Sequence, residues 1–242
     1  MSALVLLHGW GLSHRVWAPL LAALPGHAML TPDLPGHGDA PRAGPQLADW
    51  SDAVAVGLPK GCTLAGWSLG ALLALDIARR HPDKVARLIL TGASPRFTAT
   101  DDWPCALAAD TLRDFRTAFA AEPDATQRRF VALQALGDHA RRNVTQTLTA
   151  ALTPADTAHR EALADGLALL ADTDLRPILP AIAQPVRLLH GARDALMPVA
   201  AAEHLADALP HARLSIFADS GHAPFLSRPD DFATLVEGAR HD

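Results

Sequence analysis

The 242-residue chain is short of cysteine, of lysine and of long apolar runs, and each shortage excludes something. Two cysteines, Cys62 and Cys105, do not make the disulfide framework that holds small secreted domains, and they suit a reducing compartment. The opening MSALVLLHGWG has no basic segment, and its apolar stretch is far shorter than a signal peptide or a membrane span needs. A cytoplasmic, soluble protein with no membrane partner is therefore expected. Lys60 and Lys84 are the only lysines, so nearly all positive charge is arginine, and the formal net charge of −5 argues against a nucleic-acid binder. No internal repeat or low-complexity tract occurs. What is present is ordinary globular material, 49% hydrophobic and 19% charged, long enough to bury the core of one α/β domain.

Short apolar runs at residues 3–7, 28–31, 62–65, 85–90, 186–189 and 214–217 read as strands. Helical patterns lie between most of them, among them 17–24, 69–80 and 199–209. Continuous apolar strands separated by helices mark a parallel sheet covered on both faces, so the alternation predicts a doubly wound α/β fold of about six or seven strands. The alternation stops between residues 95 and 180. Four helical patterns follow one another there, at 107–121, 127–136, 140–152 and 159–170, separated by Pro123, Gly137 and Pro154. An all-helical insertion that leaves the sheet after one strand and rejoins it before the next reads as a lid, within a single domain spanning 1–242. It would cover the carboxyl edge of the sheet, where such sheets bind ligands.

Gly66-Trp67-Ser68-Leu69-Gly70 falls between an apolar strand and a helix rich in small residues. In that setting G-x-S-x-G is a nucleophile elbow, which presents its serine on a sharp turn. The positions two residues to either side must lack side chains for the turn to close, and Gly66 and Gly70 meet that need. Ala71 and Ala74 let the helix approach the sheet. The pentapeptide also occurs by chance, with a helix-capping serine as the plain alternative, so its partners decide the reading.

A serine hydroxyl is a poor nucleophile until a base takes its proton. Of the twelve histidines, His222 in DSGHAPF follows the last predicted strand and would face the carboxyl edge beside Ser68. His8 lies near the same edge but precedes a Gly-Trp turn and reads as structural; His81, His204 and His211 read as solvated. Chain order in this arrangement runs nucleophile, acid, base. That order favours Asp194, just past the run at 186–189, with Asp219 as runner-up and Asp172 and Asp174 as surface charges. Attack on a carbonyl creates an oxyanion, for which one preorganised donor is worth about 3 to 4 kcal/mol. The N–H of Leu69 at the helix start is one candidate donor, and the N–H of Trp10 in His8-Gly9-Trp10-Gly11 is the other, although Trp10 could also simply pack the lid. Neither a metal nor an organic cofactor is called for.

The segments LLHGWGLSHRVW, DLPGHG, GWSLGALLA, SPRFTATDDWP, RRFVALQALG, GARDALMP and FADSGHAPFLSRP together resemble the pimeloyl-acyl-carrier-protein methyl ester carboxylesterases of biotin synthesis. The likeness spans nearly the whole chain. The triad motifs alone point to the α/β-hydrolase superfamily; the Gly-Trp-Ser-Leu-Gly elbow, Asp-Asp-Trp-Pro and Phe-Val-Ala-Leu-Gln narrow it. The resemblance implies an α/β-hydrolase fold and hydrolysis of the methyl ester at the far end of a pimeloyl chain carried on acyl carrier protein. It also implies substrate contacts at Trp10, Ser68, Leu69 and His222 and along the lid segment Phe130, Val131, Ala132, Leu133 and Gln134. Phe130 and Gln134, four apart, would share a helix face.

Acyl carrier proteins are acidic, so their docking surface should be basic. Arg128, Arg129, Arg141 and Arg142 cluster in the lid with Asp138 the only acid among them. Lid arginines of relatives match Arg129 and Arg142, whereas two further arginine positions read here as Ala125 and Gln146, and Cys105 stands where relatives often have glycine. A monomer is expected. With the first strand pattern at residues 3–7, the antiparallel strands that open many hydrolases of this kind are expected to be missing or reduced. A general carboxylesterase of small free esters and a non-catalytic binding protein of the same fold are the alternatives. A dehalogenase or epoxide hydrolase would carry aspartate where this chain has Ser68.

Overall fold

A computed structural model describes residues 2–26 and 28–241. Six strands, β1 (Leu4–Leu7), β2 (Met29–Leu30), β3 (Cys62–Trp67), β4 (Val85–Thr91), β5 (Val186–Gly191) and β6 (Ala212–Phe217), form one sheet. Their order is β2-β1-β3-β4-β5-β6, and every neighbouring pair is parallel. No antiparallel strand joins this sheet among the described residues. β2 is shorter than the predicted run because Pro32 follows it, and proline cannot donate to a strand ladder.

Each β1 residue is buried, as a strand covered on both faces must be. Leu4 and Leu6 join a core with Trp17, Leu20, Phe225 and Val236, under α1 (Ala18–Ala23), α9 (Pro224–Ser227) and α10 (Pro229–His241). Val5 and Leu7 join the opposite core with Trp50, Leu72, Leu75 and Leu205, under α2 (Leu47–Val56), α3 (Leu69–Arg80) and α8 (Val199–Ala208). The two-residue period of the strand thus divides its apolar side chains between two layers of helices.

Strand order reverses between β1 and β3. The chain first adds β2 on one side of β1, then crosses to the other side for β3 and builds outward. A sheet of this kind opens a crevice at the carboxyl ends of the strands flanking that reversal. The residues that follow β1 and β3 are His8 to Trp10 and Ser68, so topology alone brings these two segments to the crevice.

Between β4 and β5 stand α4 (Ala109–Ala121), α5 (Pro123–Gln134), α6 (Arg141–Ala150) and α7 (Arg160–Asp172). The sequence pattern starts the second of these at residue 127 and treats Pro123 as a break; Pro123 is instead the first residue of α5. Proline suits that position, because an N–H there would have no acceptor within the helix and the ring already fixes a helical φ. The four helices are tied to the turn after β1. Thr153 N donates to Gly11 O at 2.9 Å and its Oγ1 to Leu12 O at 2.8 Å, while Ser13 N and Oγ both donate to Ala151 O.

Candidate active site

Ser68 joins β3 to α3 with φ 56° and ψ −117°, and it is the one non-glycine residue with positive φ among those described. Such a conformation costs about 1–3 kcal/mol and persists only where the surroundings enforce it. Here Ser68 N donates to Thr91 O at 3.0 Å, and Ser68 O accepts from Ala71 N and Leu72 N as α3 begins. A Cβ on Gly66 would lie 2.3 Å from Gly70 O, and one on Gly70 2.3 Å from Leu7 O. Neither position can carry a side chain without moving backbone.

His222 meets Asp194 at 2.6 Å, Nδ1 to Oδ2, with both side chains fully buried. The other oxygen of Asp194 accepts from Leu196 N at 2.8 Å and Met197 N at 2.9 Å. Burial favours the neutral acid, but the His222 imidazole beside it and the Met197 N–H outweigh that and hold the Asp194 carboxyl below the usual range. A carboxylate facing Nδ1 assigns the ring proton to that nitrogen, which leaves Nε2 as an acceptor. Nε2 is buried and has no hydrogen-bond partner. Ser68 and His222 line one cavity, whose remaining wall includes Phe97, Leu112, Phe130, Leu167 and Leu170.

Two supports of the imidazole left no recognisable pattern in the sequence. A Cβ on Gly92 would fall 2.7 Å from His222 Cε1, so the ring occupies the space a side chain would take. His190 Nε2 donates to Met197 O at 2.9 Å and lies 3.8 Å from Asp194 Oδ2; burial depresses its pKa, which keeps it neutral beside the carboxylate.

Leu69 is the first residue of α3, where an N–H has no acceptor within the helix. The turn that leads into Trp10 borders the elbow: a Cβ on Gly9 would be 3.4 Å from Ser68 Cβ. The buried Trp10 indole donates to Leu163 O at 2.7 Å and meets Phe115, Phe119 and Phe130 edge-on at 5.9, 5.4 and 5.2 Å. Its side chain ties α4, α5 and α7 to the turn whose main chain borders Ser68.

The α/β hydrolase fold family matches residues 2–229. A pimeloyl-acyl-carrier-protein methyl ester esterase of Aromatoleum aromaticum is 57% identical over 240 residues, covering 97% of this chain and 96% of its own length. This chain belongs to that esterase family. An esterase of the same name from Serratia marcescens is 37% identical over 235 residues, with 97% and 92% covered. An esterase from Exiguobacterium antarcticum superposes with a TM-score of 0.85 at 24% identity, over 99% of this chain and 92% of its own, a likeness of fold alone.

Against the contacts that the esterase family resemblance implies, α5 divides its residues by face. Phe130 lines the cavity, and Gln134 is buried one turn later with its O accepting from His222 N at 3.2 Å and its Nε2 without a partner. Val131 instead joins the core of the opposite layer, Ala132 is exposed in a surface groove with Arg141 and Arg142, and Leu133 is half-buried outside the cavity wall. Five consecutive residues of a helix are spread around its whole circumference, so Phe130 and Gln134 share the inner face while Ala132 lies at the surface. Arg128, Arg129, Arg141 and Arg142 are all exposed, and no carboxylate lies within ion-pairing distance of them among the described residues.

The other candidates are engaged elsewhere. His8 Nε2 accepts from Leu34 N at 3.0 Å and its Nδ1 donates to Gly9 O at 2.9 Å, a structural placement. Asp219 accepts from Arg228 rather than from His222. Asp172 faces Arg116, and Asp174 pairs with Arg96 and Arg176.

His37, in the DLPGHG loop, is wholly buried, and burial together with nearby His8 lowers its pKa to about 3. The unfolded chain, with an ordinary histidine near 6.5, therefore binds a proton that the folded protein refuses, so stability is full above about pH 6.5 and drains as pH falls toward about 3. The thermal midpoint is expected to drop between about pH 7 and about pH 4.5. His37→Asn should show a shallower drop, and an equal slope in both proteins would refute this assignment.

Proposed function

We propose that this protein is a serine esterase that hydrolyses the methyl ester of a pimeloyl chain carried on acyl carrier protein. The reading is carried by the buried, unpartnered Nε2 of His222, which shares a cavity with Ser68 and belongs to an imidazole held on its other side by Asp194. Nε2 takes the Ser68 hydroxyl proton as Oγ bonds to the ester carbonyl carbon. The N–H groups of Leu69 and Trp10 receive the oxyanion. Collapse breaks the bond to the methoxy oxygen, which leaves as methanol with the proton from Nε2. Water then attacks the acyl-serine, gives a proton to Nε2, and releases the free acid as Oγ regains its hydrogen.

Specificity follows from the wall. Apart from Ser68 and His222 the cavity lining is apolar, which suits a methylene chain at about 0.8 kcal/mol for each buried CH₂. The helices α4 to α7 act as a lid, and the exposed arginines of α5 and α6 offer an acidic carrier a complementary surface. An apolar wall would also admit a simple free ester, so a general carboxylesterase is the competing reading. One preparation assayed on both a carrier-linked methyl ester and a short free ester separates the two. Arg129→Ala and Arg142→Ala are expected to lower kcat/KM for the carrier-linked ester by roughly tenfold, and less at high salt, with the free-ester rate nearly unchanged. Equal losses on both substrates would contradict the docking role.

A further inference from the structure

The catalytic imidazole sits on a loop that the lid itself holds. His222 N donates to Gln134 O at 3.2 Å, His139 N donates to Asp219 O at 3.0 Å, and Gly221 N donates to Asp138 Oδ2 at 2.7 Å. Only the last is made by a buried side chain, the exposed His139 ring adding a bond from Nδ1 to Asp219 O at 3.3 Å. Asp138 lies in the turn between α5 and α6, and its carboxylate is fully buried. Its second oxygen accepts from Ala140 N at 2.8 Å, the residue immediately before α6. Both oxygens of one buried acid are thus committed to backbone N–H groups, one on the loop of the base and one at the start of the helix that bears Arg141 and Arg142.

A buried carboxylate is retained at low cost only when hydrogen bonds satisfy it, and a buried N–H that loses its acceptor is costly in turn. Gly221 is buried, so no solvent stands ready to replace Asp138. A Cβ on Gly221 would lie 3.1 Å from Gln134 O and 3.4 Å from Asp138 Cβ, so the loop also lies flat against the turn. We infer that Asp138 is a positioning residue for the esterase reaction: through Gly221 N it fixes the main chain that carries His222 and so sets the distance from Nε2 to Ser68. This rests on the catalytic role proposed for His222 but not on which ester is the natural substrate.

The test uses the full chain and a short p-nitrophenyl ester, which needs no carrier and makes no use of the arginines. A displacement of about 1 Å at reacting groups can cost about a hundredfold, so Asp138→Ala is expected to lower kcat by roughly ten- to a hundredfold, normalised to folded protein, with KM unchanged. The far-downfield proton resonance of the His222–Asp194 hydrogen bond should move or broaden in the same variant. Asp138→Asn, nearly isosteric and keeping one acceptor oxygen, should show a smaller kcat loss, and it carries the test alone if the alanine variant does not fold. Parental kcat in either variant, or a loss confined to KM with the resonance unmoved, would overturn the inference. His222→Ala run alongside separates the two levels. If that variant stays active the esterase mechanism itself fails, whereas an inactive His222→Ala beside fully active Asp138 variants sinks only the positioning role.

Discussion

The Ser68→Ala protein is expected to fold as its parent does and to lose ester hydrolysis by a factor on the order of 10⁵ to 10⁶, the scale seen when a triad nucleophile is removed. The fold should survive because the elbow is imposed by backbone: Ser68 N bonds Thr91 O, its carbonyl starts α3, and no hydrogen bond from Oγ to the surrounding protein enters that account. Alanine keeps the Cβ and the φ of 56°, so the strain stays where it was. What goes is the hydroxyl oxygen that the proposed mechanism acylates. Ligand binding should persist, since the apolar wall of Phe97, Leu112, Phe130 and Leu167 is untouched. Steady-state rates on a chromogenic ester, beside a thermal melt of the same sample, check both halves. A variant that melts normally and keeps a tenth of the rate would remove Ser68 from the mechanism.

The second large effect belongs to the acid. Asp194→Asn is expected to reduce kcat by about 10⁴, through the wrong tautomer rather than through lost packing. Aspartate accepts a hydrogen bond from Nδ1–H, which keeps that proton on Nδ1 and leaves Nε2 free to take one from Ser68. An asparagine that keeps its oxygen toward Leu196 N and Met197 N must turn its NH₂ toward Nδ1, which drives the ring proton to Nε2 and blocks it as a base. The same two backbone bonds should hold the loop in place, so KM for a short ester and the thermal midpoint should change little. A kcat loss below tenfold would mean that another group orients His222. Asp219 is then a poor substitute, since Arg228 already occupies it.

How much of this was legible in the sequence depended on whether a contact leaves a local trace. The elbow did, because strand, turn and helix follow one another within about twenty residues and two glycines flank the serine. Asp194 and His222 did in a weaker sense, since each follows directly on a strand of recognisable pattern, and parallel strands deliver such residues to one edge of the sheet. Pro123 misled because proline both breaks helices and begins them, and only the fold says which. The five lid positions stand differently: they were carried over together as a run of adjacent residues, and the helix sends Phe130 to the cavity and Ala132 to solvent. Gly92 under the imidazole and Asp138 beneath its loop were invisible for one shared reason. Their partners lie 130 and 83 positions away in the chain, and a single buried contact across such a span imposes no periodicity on either side.

The most direct measurement is to quench the enzyme during turnover of a carrier-linked pimeloyl methyl ester and locate the acyl group by mass spectrometry. A pimeloyl adduct on the peptide containing Ser68, absent from Ser68→Ala and accompanied by methanol released before free acid, is the predicted result. Turnover with no adduct at any stage, or an adduct on another residue, would contradict the account.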